Sequence, residues 1–180
     1  MKYTEKKVGA QSVYLLEPET YMNLCGPAVR EFIGYFGRQE ALGALEDSLL
    51  VVHDDLDLQE GRLRFRARGS SGGHRGVQSI AESLASEAFG RLKLGIGRRP
   101  GRDAAEYVLE TLSGDSEVAI RDVCLRAAKS LPLWLREGTR ACANQYNQPD
   151  GGLKIGGLEA GSHEPRNQSH KKNSLPGGQA

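Results

Sequence analysis

The sequence predicts a single-domain α/β protein. Its 180 residues contain no internal repeat, and this length suits one domain with a hydrophobic core. Segments with the apolar pattern of a strand alternate with segments in which apolar residues recur on one helical face. The predicted elements occupy residues 12–16, 27–36, 49–53, 62–68, 76–84, 91–96, 104–112 and 115–137, followed by a last short helix at 139–146.

The first half of the chain predicts two strands around a helix. Residues 12–16 form a short strand that Pro18 ends. Pro27 suits the first turn of a helix whose apolar side chains share one face: Val29, Phe32, Ile33 and Phe36. The continuous apolar run 49–53 is typical of a strand buried on both faces.

The second half begins with four arginines that alternate with apolar residues from Arg62 to Arg68. A strand there places the guanidinium groups on one face and the apolar side chains on the other. Further along, Pro132 is expected to kink the long helix or to separate a turn from it. Gly138 stands where a helix C-cap belongs.

Charge is distributed unevenly along a chain whose net charge is only +1. Residues 1–60 hold 5 Lys and Arg against 11 Asp and Glu, a net charge of −6. Residues 61–102 hold 10 Lys and Arg against 2 Asp and Glu, a net charge of +8. A basic block of this kind predicts nucleic acid as the partner, and a solvated basic face is the alternative.

Composition also bears on location and on the C-terminal segment. The three cysteines, Cys25, Cys124 and Cys142, form neither a metal pattern nor a disulfide framework, which favours reduced thiols. No apolar run has the length of a membrane span, and the first residues lack a signal peptide's apolar region. We therefore expect a cytoplasmic protein, and we expect residues 149–180, poor in large apolar side chains, to form a disordered tail.

A loop before the first helix contains Tyr21, Met22 and Asn23. They offer a ring for stacking, an apolar wall and an amide that both donates and accepts hydrogen bonds. An asparagine in front of a helix is more often a helix cap, so that interpretation stays open for Asn23.

An acidic cluster follows the strand at 49–53. Asp54, Asp55 and Asp57 are suited either to magnesium or to the orientation of a catalytic histidine. Their spacing does not fit an EF-hand loop. His53 precedes them at the end of an apolar strand, a position more typical of a structural hydrogen bond than of a base.

A glycine-rich turn, residues 72–76, links the arginine strand to the next helix. Such a turn at a helix N-terminus exposes backbone N–H groups that bind anions. It matches neither the Walker A loop nor the dinucleotide-binding fingerprint. With the arginines it predicts a site for a ligand that carries several phosphates.

Taken in order, the segments 20–26, 53–58, 72–76 and 92–98 resemble bacterial peptidyl-tRNA hydrolases over about residues 8–147. The resemblance implies one domain at 1–148, built as a three-layer sandwich with a twisted mixed sheet between helices. It implies a monomer without an obligate protein partner, metal or cofactor. The implied reaction is hydrolysis of the ester that links a peptide to the 3′-terminal ribose of tRNA.

The resemblance also implies roles for single residues. Asp54 matches an aspartate that orients the general-base histidine, and Tyr21, Met22 and Asn23 match the substrate site. His74 and Arg75 match a His-Asn pair near the tRNA 3′ end. Arg75 therefore replaces an amide with a group that only donates hydrogen bonds. We expect Arg64 and Arg66 to bind tRNA through its phosphates.

The family pattern begins with a core strand and the catalytic histidine, and both align before Met1. None of the four histidines of this sequence matches the catalytic one, so we expect the first core strand and the base to be missing. Such a chain is expected to be poorly soluble and nearly inactive, because a general base contributes about 10²–10⁴-fold to rate. The alternatives are a non-catalytic RNA-binding family member and, more distantly, a magnesium-dependent phosphoesterase.

Overall fold

The structure is a computed structural model that describes residues 1–36, 45–99 and 101–148. Five strands and five helices follow one another along these residues. They are β1 (Lys2–Val8), β2 (Gln11–Glu17), a 3₁₀ turn (Met22–Leu24), α1 (Cys25–Tyr35), α2 (Leu45–Ser48), β3 (Leu50–Asp55), β4 (Leu63–Arg66), α3 (Arg75–Leu84), β5 (Gly90–Gly95), α4 (Ala104–Val108) and α5 (Gly114–Tyr146). The predicted tail at 149–180 lies outside the described residues.

The strands form a mixed sheet and a separate hairpin. In the sheet, β5 lies between β3, to which it is parallel, and β4, to which it is antiparallel. Strands β1 and β2 pair antiparallel with each other. The predicted α/β class with a mixed sheet is therefore confirmed.

Helices cover both faces of this sheet. Successive residues of a strand point to opposite faces. Val51 packs against the core cluster formed with α1 and α3, whereas its neighbour Leu50 packs against the cluster formed with α5. The sheet is thus the middle of three layers, as predicted.

The long helix α5 breaks at a glycine. Its dihedral angles leave the helical range at Gly138, where φ is +76°, a left-handed value that favours glycine. The backbone N–H of Thr139 then donates to the Asp47 carboxylate at 3.2 Å. The predicted helix end at Gly138 is confirmed, while Pro132 lies inside the helix without separating a turn from it.

One expectation about the strands was wrong, and one strand was not predicted. Strand β3 is not buried on both faces, since Val52 is 51% exposed. Among the described strands β3 pairs only with β5, and residues of both β3 and β2 line a cavity of about 970 Å³. Strand β1 was not predicted, because every one of its residues is exposed and no buried face leaves an apolar pattern.

Candidate active site

The centre of the site is a pair formed by Asp54 and His74. Asp54 lies at the C-terminal end of β3, and His74 precedes the first residue of α3. The His74 Nε2 atom lies 3.2 Å from Asp54 Oδ1. This hydrogen bond holds the pKa of the Asp54 carboxyl below its ordinary value, so the carboxylate is charged at neutral pH.

The second nitrogen of His74 is also occupied. Its Nδ1 accepts a hydrogen bond from the Val77 backbone N–H at 3.2 Å, so the side chain caps α3. Because Nδ1 accepts, the proton of the neutral ring is on Nε2 and is donated to Asp54. Neither nitrogen retains a free lone pair, and His74 therefore lacks the geometry of a general base.

The glycine-rich turn gives His74 this position. Gly72 and Gly73 have φ values of +58° and +84°, which a residue with a side chain rarely adopts. The turn closes with a hydrogen bond from His74 N–H to the Ser71 carbonyl at 3.1 Å. The chain then enters α3, with Arg75 exposed in its first turn.

The turn at Tyr21–Asn23 lies beside the same helix. A Cβ atom placed on Gly76 would be 2.9 Å from Met22 Cγ and 3.0 Å from His74 Cε1, so Met22 and His74 meet over this glycine. Tyr21 is 81% exposed, and Asn23 is exposed as well.

The cap interpretation of Asn23 is wrong. The residue that precedes α1 is Leu24, and no side chain caps this helix end. The Asn23 amide makes no hydrogen bond within the described part of the chain. It is therefore available to a ligand.

The acidic cluster does not converge on one point. Asp55 Oδ2 pairs with Lys93 Nζ at 2.7 Å, and Asp57 Oδ1 pairs with the Arg98 guanidinium at 2.8 Å. Asp54 is turned to His74 instead. Within the described ranges, no group of three His, Cys, Asp or Glu side chains is arranged to hold a metal ion. The three carboxylates therefore do not form the shared set of ligands on which the magnesium alternative depended.

The arginine strand alternates as predicted, although it is shorter. Leu63 and Phe65 are buried, and Arg64 and Arg66 are exposed. Strand β4 ends at Arg66, so Arg62 and Arg68 flank the strand instead of belonging to it.

Cross-strand register adds cations that the sequence did not single out. Lys93 of β5 lies opposite Arg64, and Arg91 lies opposite Arg66. Only the pairing of β4 with β5 brings these side chains together. The alternation of Arg91 and Lys93 around Leu92 was the one signal available beforehand.

His53 sits at the wall of the large cavity, near Met22 and His74. Its Nδ1 donates to the Asp54 backbone carbonyl at 2.6 Å, and its ring stands edge-on to His74 at 4.7 Å between centroids. Its Nε2 is buried and has no partner among the described residues. Burial lowers the pKa of His53 to about 4, so the ring is neutral at pH 7. The ring makes the structural hydrogen bond that its position favoured.

The family model for peptidyl-tRNA hydrolase matches residues 1–153. The chain belongs to the peptidyl-tRNA hydrolase family. The peptidyl-tRNA hydrolase of Thermodesulfovibrio yellowstonii is 37% identical over 81% of this chain and 75% of its own length. That of Chloroflexus aurantiacus is 42% identical over 79% of this chain and 74% of its own.

Solved peptidyl-tRNA hydrolases have the same fold. The crystal structure of the Acinetobacter baumannii enzyme superposes with a TM-score of 0.67 and is 26% identical. The match covers 78% of this chain and 68% of that one. The resemblance drawn from four short motifs is thus confirmed over most of the chain. Across the described residues, no helix is both long and apolar enough to cross a membrane.

Proposed function

We propose that this chain acts on peptidyl-tRNA, with residues 1–148 as its domain, and hydrolyses the ester between the peptide and the 3′-terminal ribose. Membership of the peptidyl-tRNA hydrolase family supports this reaction. The observation that carries the proposal is the charged Asp54 carboxylate, held by His74 beside Met22 and the exposed Asn23 amide. We further propose a cytoplasmic monomer; the three free cysteines support the location.

Asp54 is proposed to orient a histidine base. Oδ1 of Asp54 accepts the hydrogen bond from His74. No side chain among the described residues donates a hydrogen bond to Oδ2. A carboxylate accepts more than one hydrogen bond, so Oδ2 can hold an imidazole N–H and fix the tautomer whose other nitrogen deprotonates water. The resemblance implies a histidine base to which none of the four histidines in this sequence corresponds, and the structure gives His74 no free nitrogen for that role.

The other site residues are proposed to hold the two parts of the substrate. Asn23 contacts the ester region through its amide, with Tyr21 and Met22 beside it. Arg64 and Arg66 bind the tRNA backbone, and His74 and Arg75 lie near its 3′ end. Because a guanidinium only donates, Arg75 serves a phosphate or carbonyl oxygen.

The catalytic role of Asp54 is tested by single-turnover hydrolysis of an N-blocked aminoacyl-tRNA, with and without added imidazole. Imidazole should raise the rate of the unmodified chain, because it supplies the base that Asp54 holds. Asp54→Asn should remove most of this gain, by about 10²–10⁴-fold, with little change in tRNA affinity. Asp57→Asn is the matched control, since Asp57 is paired with Arg98 at the surface. Equal imidazole rates in the Asp54 variant and the unmodified chain would contradict this role.

The basic strand is tested by the salt dependence of tRNA binding. Replacing Arg64 and Arg66 with alanine should weaken binding and lower the slope of log affinity against log salt by roughly one per arginine. Arg121→Ala with Arg140→Ala removes the same charge from α5, where both residues are paired with glutamates. An unchanged slope in the β4 variant would make the arginine row a solvated face. Tight binding without any hydrolysis, imidazole included, would favour the non-catalytic alternative.

A further inference from the structure

Arg91 is an unusual arginine in this protein. It lies in the central strand β5 and is 1% exposed, the largest of the fully buried side chains. Fully buried arginines are rare and are normally paired with a carboxylate. Within the described residues Arg91 forms no salt bridge, and its Nε has no partner at all.

The guanidinium is held by backbone carbonyls and a ring instead. One terminal nitrogen donates to the Ser70 carbonyl at 2.8 Å and the other to the Glu87 carbonyl at 3.3 Å. The group also lies over the Phe89 ring, 4.7 Å from its centroid. These contacts join the loop in front of α3 to the loop in front of β5.

The glycine-rich loop, residues 68–73, passes directly over this guanidinium. A Cβ atom on Gly69 would be 3.4 Å from Arg91 Nη1, and the φ of Gly69 is +147°. Arg68, Gly69 and Ser70 are exposed on their outer side, so the loop is supported mainly from beneath. The same loop ends at His74, the residue that holds Asp54.

The buried charge of Arg91 has an electrostatic consequence. A buried cation that forms no salt bridge among the described residues projects positive potential through the thin loop above it, and the charge of Glu87 offsets only part of this potential. Burial lowers the pKa of Arg91, but an arginine remains charged at neutral pH. Arg66, its neighbour across the strands, and Arg68 add exposed charge at the same place.

We propose that Arg91 is a positioning residue for tRNA binding, which holds the glycine-rich loop in place and gives it a buried positive charge opposite an RNA phosphate. The inference rests on the proposed function and extends it to a side chain that touches neither the ester nor Asp54. The contacts of Arg91 run through Ser70 and Glu87 backbone atoms. Its loss therefore changes affinity for tRNA more than the chemical step.

The test measures binding of uncharged tRNA, and the kcat and KM of hydrolysis in added imidazole, for Arg91→Lys and Arg91→Met. Lysine retains the charge but cannot reach both carbonyls, and the expected loss of affinity is about tenfold. Methionine has neither the charge nor the hydrogen bonds to the two carbonyls. It should weaken binding further and flatten the salt dependence of binding. The kcat should stay within about twofold. Arg126→Met is the control, because Arg126 also donates to a backbone carbonyl, that of Gly61, but lies on α5.

A second variant alters the contact between Arg91 and the loop by changing a residue of the loop. Gly69→Ala disturbs the same contact through the backbone, because a φ of +147° strains a residue with a side chain, and it does so at an exposed position without removing a buried group. Its effect on affinity should be non-additive with Arg91→Lys, because both changes remove one interaction. Amide hydrogen exchange should also become faster at residues 70–74 in Arg91→Lys and unchanged in the Arg126 control.

The outcomes separate this inference from the proposed function. Additive effects, unchanged tRNA affinity, or a fall in kcat with constant KM would overturn the role of Arg91. If the unmodified chain binds no tRNA, the proposed function fails. The rate of amide hydrogen exchange at residues 70–74 in the Arg91→Lys variant then still decides whether Arg91 positions the loop.

Discussion

The hairpin and the sheet of this protein are stabilised very differently. No residue of β1 or β2 is buried, whereas Phe65 and Leu92 in the sheet are completely buried. The hairpin rests on α1 through aromatic rings, such as Tyr3 against Phe32 at 5.3 Å. Residues of β2 and β3 line the cavity of about 970 Å³, and the two strands do not pair with each other.

The difference shows where the rigid part of the site lies. Asp54, His74, Lys93 and Arg91 all belong to the packed side, where strand pairing and buried contacts fix them. The turn that carries Tyr21, Met22 and Asn23 joins the hairpin to α1 and is exposed. The acidic and basic groups are therefore preorganised independently of the hairpin.

The largest effect is expected from removing a ring on the packed side. Phe65→Ala should lower the free energy of unfolding by about 3–5 kcal/mol, because the surrounding buried side chains cannot fill the space that the lost ring leaves. Phe32→Ala, in the partly buried hairpin cluster, should cost clearly less. Urea denaturation followed by the fluorescence of the single tryptophan, Trp134, measures both. Equal costs would remove the distinction between the two regions.

An intermediate effect is expected where α1 meets α3. A Cβ atom on Gly26 would overlap the Ser79 carbonyl, and Gly26 N–H already donates to Ser79 Oγ at 2.9 Å. Gly26→Ala should therefore destabilise the protein by about 1–3 kcal/mol. Gly34 lies on the same helix, where a Cβ atom would meet no neighbouring element of the described chain within 4 Å. Gly34→Ala should therefore stabilise the protein by about 0.5–1 kcal/mol. Thermal unfolding gives the two signs, and a destabilising Gly34→Ala would contradict the openness of this face.

The smallest effect concerns pH and the cavity wall. The pKa of His53 is about 4 in the folded protein and about 6.5 when unfolded, because burial disfavours the charged ring. The unfolded chain thus binds more protons, so this contribution is complete above pH 6.5 and is lost as the pH falls towards 4. His74 and Lys93 disfavour the charged ring further, while Asp54 opposes them.

The expected loss of stability between pH 7 and pH 5 is about 1–2 kcal/mol. It is measured by urea denaturation at the two pH values, with His53→Gln as the comparison. The variant should lose most of the pH dependence in this window, whereas the depressed pKa of Asp54 acts only below it. An identical pH dependence in His53→Gln would show that the cavity wall does not desolvate this ring.

Periodic patterns made much of the packed side predictable. The alternation from Leu63 to Arg66 indicated which residues face the core, and Gly138 marked the break in α5. The exposed strand β1 could not be found in this way, because a strand without a buried face carries no apolar alternation. The apolar run 49–53 was misleading because it predicted burial on both faces. Strand β3 lines a cavity instead, and Val52 is exposed although the run is apolar.

The sequence by itself determined the α/β class, the family, and the residue types of the candidate site. These depend on local periodicity and on short motifs, which the order of residues contains directly. Only the tertiary structure decided that His74 binds Asp54 with its second nitrogen capping α3, and that Asp55 and Asp57 pair with Lys93 and Arg98. It also placed Arg91 beneath the glycine-rich loop. These contacts join residues that are distant in sequence, and strand register and packing alone bring them within hydrogen-bond distance.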